Sequence, residues 1–217
     1  MALVRRGIDI VALQEPAITN FSTTIASRDW VMVYSSTHSS DPNKTHSLLL
    51  IRNNILTEQW KQVDFPSGDV TIVQLGRNWG ELMLFNIYND CENNDTINQL
   101  ETFTQTHTAA SGWNREDTKP VIWMGDFNQH HPHWDNPANT RLFTRKALDN
   151  AELLISTVAG LGLDLALPHS IPTHLHNVTK KWTRLDQVFV SEDHIDSVVT
   201  CNVLSDTPGI NTDHIPI

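Results

Sequence analysis

The sequence predicts a layered α/β (α+β) sandwich. Three observations predict it. Short β-forming runs recur along the chain, two segments carry helical spacing, and 217 residues suit one domain of the larger α/β kind, with a core that closes without staples. We therefore expect a single domain over 1–217. No repeat, low-complexity tract or long linker divides the chain.

The predicted strands are Ile8–Leu13, Trp30–Tyr34, Ser47–Ile51, Val70–Leu75, Leu82–Tyr88, Val121–Met124, Leu185–Val190 and Val198–Val203. Several are almost wholly apolar, which suits strands covered on both faces. One helix is expected after Asn94, a capping residue, with Ile97, Leu100 and Phe103 on one face. A second is expected from Leu142 to Ala159, with Phe143, Ala147, Leu154 and Val158 inward and Gly160 as its stop. Strand–helix alternation of this kind gives layers.

Composition narrows the setting. With 39% hydrophobic and 18% charged residues, the chain has the balance of a soluble protein. No apolar run reaches the roughly 18 residues of a membrane span. The segment MALVRRGIDIVALQEP has no signal-length apolar region, so an intracellular protein is expected. Cys91 and Cys201 stand far apart and outside any CxxC pair, and are read as reduced thiols. The net charge of −10 disfavours strong nucleic-acid binding, although carboxylates that hold a cation contribute to it. Two basic clusters stand against it: Lys180, Lys181 and Arg184, and Arg141, Arg145 and Lys146. Each is a phosphate-contacting patch or a solvated face.

Polar residues gather at the ends of the apolar runs, where rigid scaffolds present functional groups. Glu15 follows IVALQ and precedes Pro16; its carboxylate is either solvated or aimed at a cation. In GDFN, Gly125 permits a sharp turn, and Asp126 and Asn128 point the same way if the backbone is extended. The alternative is an Asx turn. Asp186 lies inside an apolar strand, where a carboxylate is costly unless paired. Histidine is its natural functional partner, and Arg184 or a lysine the structural one. Asp213–His214 joins a metal ligand to an acid–base group. His130, His131, His133, His174 and His176 include two closely spaced sets that would suit zinc, with packing as the preferred reading. Trp134 and Trp182 suit base stacking or burial.

Taken in order, Glu15, Tyr88, Asp126–x–Asn128, Asp186 and Asp213–His214 resemble the endonuclease/exonuclease/phosphatase superfamily. The string GDFNQHHPHWD resembles its retrotransposon-associated, LINE-type branch. NVTKKWTRLDQVFVS and GINTDHIPI are similar to fungal elements of that branch. The resemblance runs from IDIVALQEP to TDHIPI.

It implies a four-layered sandwich of two mixed β-sheets flanked by helices. It implies an Mg²⁺-dependent (Mn²⁺ as substitute) endonuclease that nicks DNA, works in the nucleus and leaves a 3′-hydroxyl for a reverse transcriptase domain of the full element to extend. Under it, Glu15 is the main metal-binding carboxylate and Tyr88 contacts the scissile phosphate. Asp126 orients or deprotonates the attacking water, and Asn128 stabilises the transition state. Asp186 buttresses His214, which donates to a phosphoryl oxygen or moves a proton. Asp213 joins the metal site or orients its neighbours. Lys180, Lys181, Arg184 and Arg141 are the candidate nucleic-acid contacts. The HHPxW histidines shape a loop beside the site rather than bind zinc.

The chain departs from the family pattern in three places. The asparagine-bearing strand before the Glu motif and the closing strand are not in the sequence, so truncation at both ends is expected. Cys91 stands where the family carries an asparagine. The competing readings are a catalytically dead remnant and another phosphoesterase of the superfamily.

Overall fold

A computed structural model describes residues 7–24, 27–76, 81–110, 119–205 and 212–217. The fold is mixed α/β, with two main sheets flanked by helices. The chain divides into two compact units, Met1–Tyr88 with Gln105–Gly125, and Asn89–Thr104 with Asp126–Ile217.

In the first unit, β1 (Ile10–Gln14), β2 (Trp30–Tyr34) and β3 (Ser47–Arg52) form an antiparallel sheet in the order β1-β3-β2. Leu48, Leu49 and Ile51 of β3 are fully buried, as its unbroken apolar run requires of a central strand. The four strands β4 (Trp60–Val63), β5 (Val70–Gly76), β6 (Glu81–Tyr88) and β7 (Val121–Asp126) follow one another in a second sheet. Val70 pairs with Ile87 and Gly76 with Glu81. Val33, Leu49, Ile51, Val73 and Leu84 form the core, with Ile10, Trp60, Ile122 and Met124 packed on it. Each such side chain contributes roughly 1.5–3 kcal/mol by leaving water.

In the second unit, β8 (Leu163–Leu165) pairs antiparallel with β11 (Asp186–Ser191), and β9 (His174–Leu175) with β10 (Trp182–Thr183). The helix α2 (Arg145–Gly160) buries Ala151, Leu154, Thr157 and Val158, a stripe at helical spacing. Thr144 caps it by accepting a hydrogen bond from the Ala147 amide at 3.1 Å. The helix α1 (Asp95–Ala110) buries Ile97 and Leu100.

Three expectations change, and one strand is new. Val198–Val203 is not a strand; Val199 is 98% exposed and follows a 3-10 turn over Glu192–Ser197. Hydrophobic type alone does not make a strand without a ladder partner. The segment 137–142 is a 3-10 turn, so α2 starts three residues later than expected, at its Thr144 cap. Its end also shifts: Gly160 is the last helical residue, and the left-handed glycine is Gly162 at φ +64°. The strand Trp60–Val63 is not visible in the sequence pattern, because Lys61 and Gln62 are exposed on an edge strand, a common protection of open edges. Among the described residues, no helix is long and apolar enough to cross a membrane.

Candidate active site

Each unit carries its own group of candidate residues. In the first, β1 delivers Glu15 and β6 delivers Tyr88. The Tyr88 hydroxyl donates to Glu15 Oε1 at 2.8 Å. Glu15 is exposed and left-handed at φ +48°, a conformation that costs a non-glycine residue energy and clusters at functional sites. Backbone contacts hold it there. The Glu15 amide donates to the His46 carbonyl, and the Tyr88 amide to the Asp69 carbonyl, each at 2.8 Å. The His46 Nδ1 and Asp69 Oδ1 atoms lie 2.6 Å apart. Glu15, His46, Asp69 and Tyr88 therefore close a four-residue ring of hydrogen bonds.

Beneath this ring lies Asn86, which is fully buried. Its amide donates to the carbonyls of Leu13 and Leu48 at 2.9 Å each, and its oxygen accepts from Gln14. Asn86, His46 and Asp69 were not singled out from sequence. A usable signal existed for Asn86: an amide inside LMLFNIY is as costly unpaired as Asp186 in its strand.

Gly125, the residue before Asp126, has φ +144°, and a Cβ on it would sit 1.9 Å from the Ile87 carbonyl oxygen. Only glycine fits this close approach.

In the second unit, Asp126 ends β7 and is buried, with 7% of its surface exposed. Its Oδ1 accepts from the Asn128 amide at 2.9 Å, and its Oδ2 from Asn128 Nδ2 at 3.2 Å. Asn128 is left-handed at φ +50°. The pair is thus not an extended dipeptide with parallel side chains; it is an Asx turn that folds the amide back onto the carboxylate. Asn128 Nδ2 also donates to the Asn89 carbonyl at 2.9 Å.

His214 and Asp186 meet, with Nδ1 and Oδ2 2.8 Å apart. His214 Nε2 lies 3.9 Å from Asp126 Oδ2. Burial alone would lower the His214 pKa. The hydrogen bond and charge of Asp186, with the charges of Asp126 and Asp213, outweigh it and raise the pKa to about 9. At neutral pH this imidazole is therefore a cation with two donor nitrogens. Asp213 is placed differently: its Oδ2 accepts from Asn177 at 2.7 Å and lies 3.4 Å from His174 Nε2.

The basic candidates separate. Lys180, Lys181 and Arg141 are exposed. With Asn136, Asn139 and Trp182, the two lysines line a hollow of ≈ 290 Å³, and Trp182 is 45% exposed. Arg184 is not a surface cation. It is fully buried and donates to the carbonyls of Leu167, Pro168 and Trp134. A guanidinium so enclosed cannot reach a phosphate, and it acts as a hub for three backbone acceptors. Trp134 is likewise buried, donating Nε1 to the Gln129 carbonyl. Asp135, in the same loop, accepts from the Arg184 amide. The free thiols are Cys91, exposed, and Cys201, half-buried. Residues 209–211 of GINTDHIPI lie outside the described residues.

Residues 82–217 match the sequence profile of the endonuclease-reverse transcriptase family. The chain belongs to that family. Curated proteins give no significant match to it. Solved structures share the fold of this chain. The endonuclease domain of TRAS1, a telomere-specific non-LTR retrotransposon, is similar over 99% of this chain and 86% of its own, at 16% identity and TM-score 0.69. An AP endonuclease of Leishmania major is similar over 99% and 78%, at 14% identity and TM-score 0.71. A 3′ phosphatase of Neisseria, solved with a product DNA hairpin, is similar over 98% and 88%, at 15% identity and TM-score 0.66. The shared architecture is the endonuclease/exonuclease/phosphatase fold, a fold of hydrolytic nucleases and phosphatases.

Proposed function

We propose that the chain is the metal-dependent endonuclease of a non-LTR retrotransposon, nicking DNA to leave a 3′-hydroxyl that a reverse transcriptase extends. The observation that carries this reading is the Asp186–His214 couple set beside Asp126, a fixed imidazole next to the carboxylate of an Asx turn.

Phosphodiester hydrolysis adds negative charge to phosphorus, and preorganised donors stabilise it. In this reading Asp126 takes the proton of the attacking water. Protonated His214, held by Asp186, donates through Nε2 to a phosphoryl oxygen. Asn128 turns its amide from Asp126 to the same phosphate. The bond from phosphorus to the 3′ oxygen breaks, and that oxygen leaves with the bonding pair and takes a proton from solvent water to become the hydroxyl.

Glu15 is the residue proposed to hold Mg²⁺, with Mn²⁺ as substitute. The donor chemistry fits: an exposed carboxylate is a hard oxygen ligand, and Mg²⁺ takes one or two of these and keeps several waters. When bound, the ion supplies Lewis-acid stabilisation of phosphate charge. Asp213 is proposed to orient its neighbours; Asn177 and His174 engage its carboxylate. The substrate is DNA, the partner a reverse transcriptase domain of the same element, and the compartment of action the nucleus.

A supercoiled-plasmid nicking assay tests this. The wild-type chain should produce open circles with Mg²⁺, none with EDTA, and none after Glu15→Ala. A folded wild-type chain that leaves the plasmid supercoiled would refute it and support a dead remnant.

A further inference from the structure

A second set of ligand-type side chains lies in the second unit, and no role proposed above calls for a cation there. His174, Asp213 and His214 each offer a ligand atom, all within 4.8 Å of one another. The fold builds this set by strand pairing. His174 and His214 are cross-strand partners in an antiparallel bridge, flanked by bonds from the Leu175 amide to the Asp213 carbonyl and from the Ile215 amide to the Thr173 carbonyl. Directly opposed residues share a face, and the two rings lie 4.8 Å apart between centroids.

The outer contacts suit a metal site. A ligating histidine commonly gives its remote nitrogen to a carboxylate or another fixed oxygen, leaving the other nitrogen for the ion. His214 gives Nδ1 to Asp186. His174 has Nδ1 3.2 Å from the Thr183 hydroxyl. Both present Nε2, and Asn177 steadies the Asp213 carboxylate. Zinc–ligand bonds of about 2.0–2.2 Å at tetrahedral angles put donors roughly 3.3–3.5 Å apart. His174 Nε2 and Asp213 Oδ2 are 3.4 Å apart. Two imidazoles and one carboxylate suit Zn²⁺ or its neighbours better than Mg²⁺, which prefers oxygen alone. All three residues are half-buried, so an ion can enter.

We propose that His174, Asp213 and His214 form a binding site for a transition-metal ion of the zinc class, and that its occupation silences His214. The ion takes the Nε2 lone pair and displaces its proton, removing the donor that the nicking reaction uses. Only this inhibitory consequence rests on the proposed function; the binding site does not.

The direct test is titration of the folded chain with Co²⁺, a coloured stand-in, and with Zn²⁺ by calorimetry. One ion should bind, with the visible bands of a four- or five-coordinate site. His174→Ala and Asp213→Asn should each weaken binding about tenfold or more, while His133→Ala should not. Binding unchanged in His174→Ala, no stoichiometric binding by wild type, or loss in His133→Ala would each overturn the site. Circular dichroism of every variant separates lost ligands from lost fold. Zinc inhibition of nicking, scored against each protein's own zinc-free rate, should need more Zn²⁺ in His174→Ala. A wild type that binds Co²⁺ but never nicks would sink the nuclease reading and leave the metal site standing.

Discussion

Asp186 sits in a strand that gives it almost no water, and His214 makes that position tolerable. This dependence was legible in the sequence, because a carboxylate among Leu185, Val188, Phe189 and Val190 demands a partner. Which partner was not: Arg184 was an open candidate, yet its guanidinium turns to three carbonyls instead. His174 was legible in the sequence as a neighbour of His176, with packing preferred to zinc; its meeting with Asp213 and His214 was not, since it depends on a strand pairing far apart in sequence. The Asp186–His214 couple also sets a pH dependence. The folded His214 pKa, about 9, lies above the ordinary 6.5. Its stabilisation is therefore complete below about pH 6.5 and is lost as the pH rises through about 9. The groups facing it are Asp186, Asp126, Asp213 and His174, the last held below its usual range chiefly by burial and then by His214 itself. Allowing for solvent screening, the loss should be of the order of 2 kcal/mol. Urea unfolding at pH 6.5 and 9.5 should show it in wild type, and the Asp186→Asn/His214→Gln double variant should lack most of it. Equal losses in both proteins would place the titration elsewhere.

At the scale of elements, the apolar strands were readable and the junctions were not. Runs such as SLLLI and LMLFNIY announce themselves by burial on both faces, whereas Trp60–Val63 shows only an edge strand's mixed pattern. The GDFN turn shows the same limit: Asp126 and Asn128 were identifiable, but the left-handed backbone at Asn128 reverses the geometry an extended strand would give. Junction residues carry testable weight. Thr144→Ala removes the cap of α2 and should cost about 1 kcal/mol, read as a lower urea midpoint with an unchanged slope. Gly125→Ala should cost more, at least about 2 kcal/mol, because its Cβ meets the Ile87 backbone rather than a yielding side chain. A Gly125→Ala chain as stable as wild type would show that this strand junction relaxes freely.

For the whole molecule, the charge of −10 and the proposed DNA substrate pull against each other, and salt dependence measures the outcome. Each phosphate neutralised on duplex DNA releases counterions and adds about −0.9 to the slope of log affinity against log salt. The surface cations proposed to meet DNA are Lys180, Lys181 and Arg141; Arg184 is removed from that set by its burial. Three such contacts predict a slope of roughly −3, shallow beside that of strongly basic DNA-binding proteins. Binding of a catalytically silent Asp126→Ala chain to a duplex, followed by fluorescence anisotropy between low and moderate salt, gives the slope directly. Adding Lys180→Ala should make it shallower by about 1 and weaken binding alike on unrelated sequences, as a phosphate contact does. Arg184→Ala should instead destabilise the chain, by about 3 kcal/mol or more, because three backbone carbonyls, those of Trp134 and Leu167 buried, lose their donor. A slope unaffected by Lys180→Ala would move the DNA contact away from the hollow beside Trp182. A slope much steeper than −3 would mean that further cations meet the DNA.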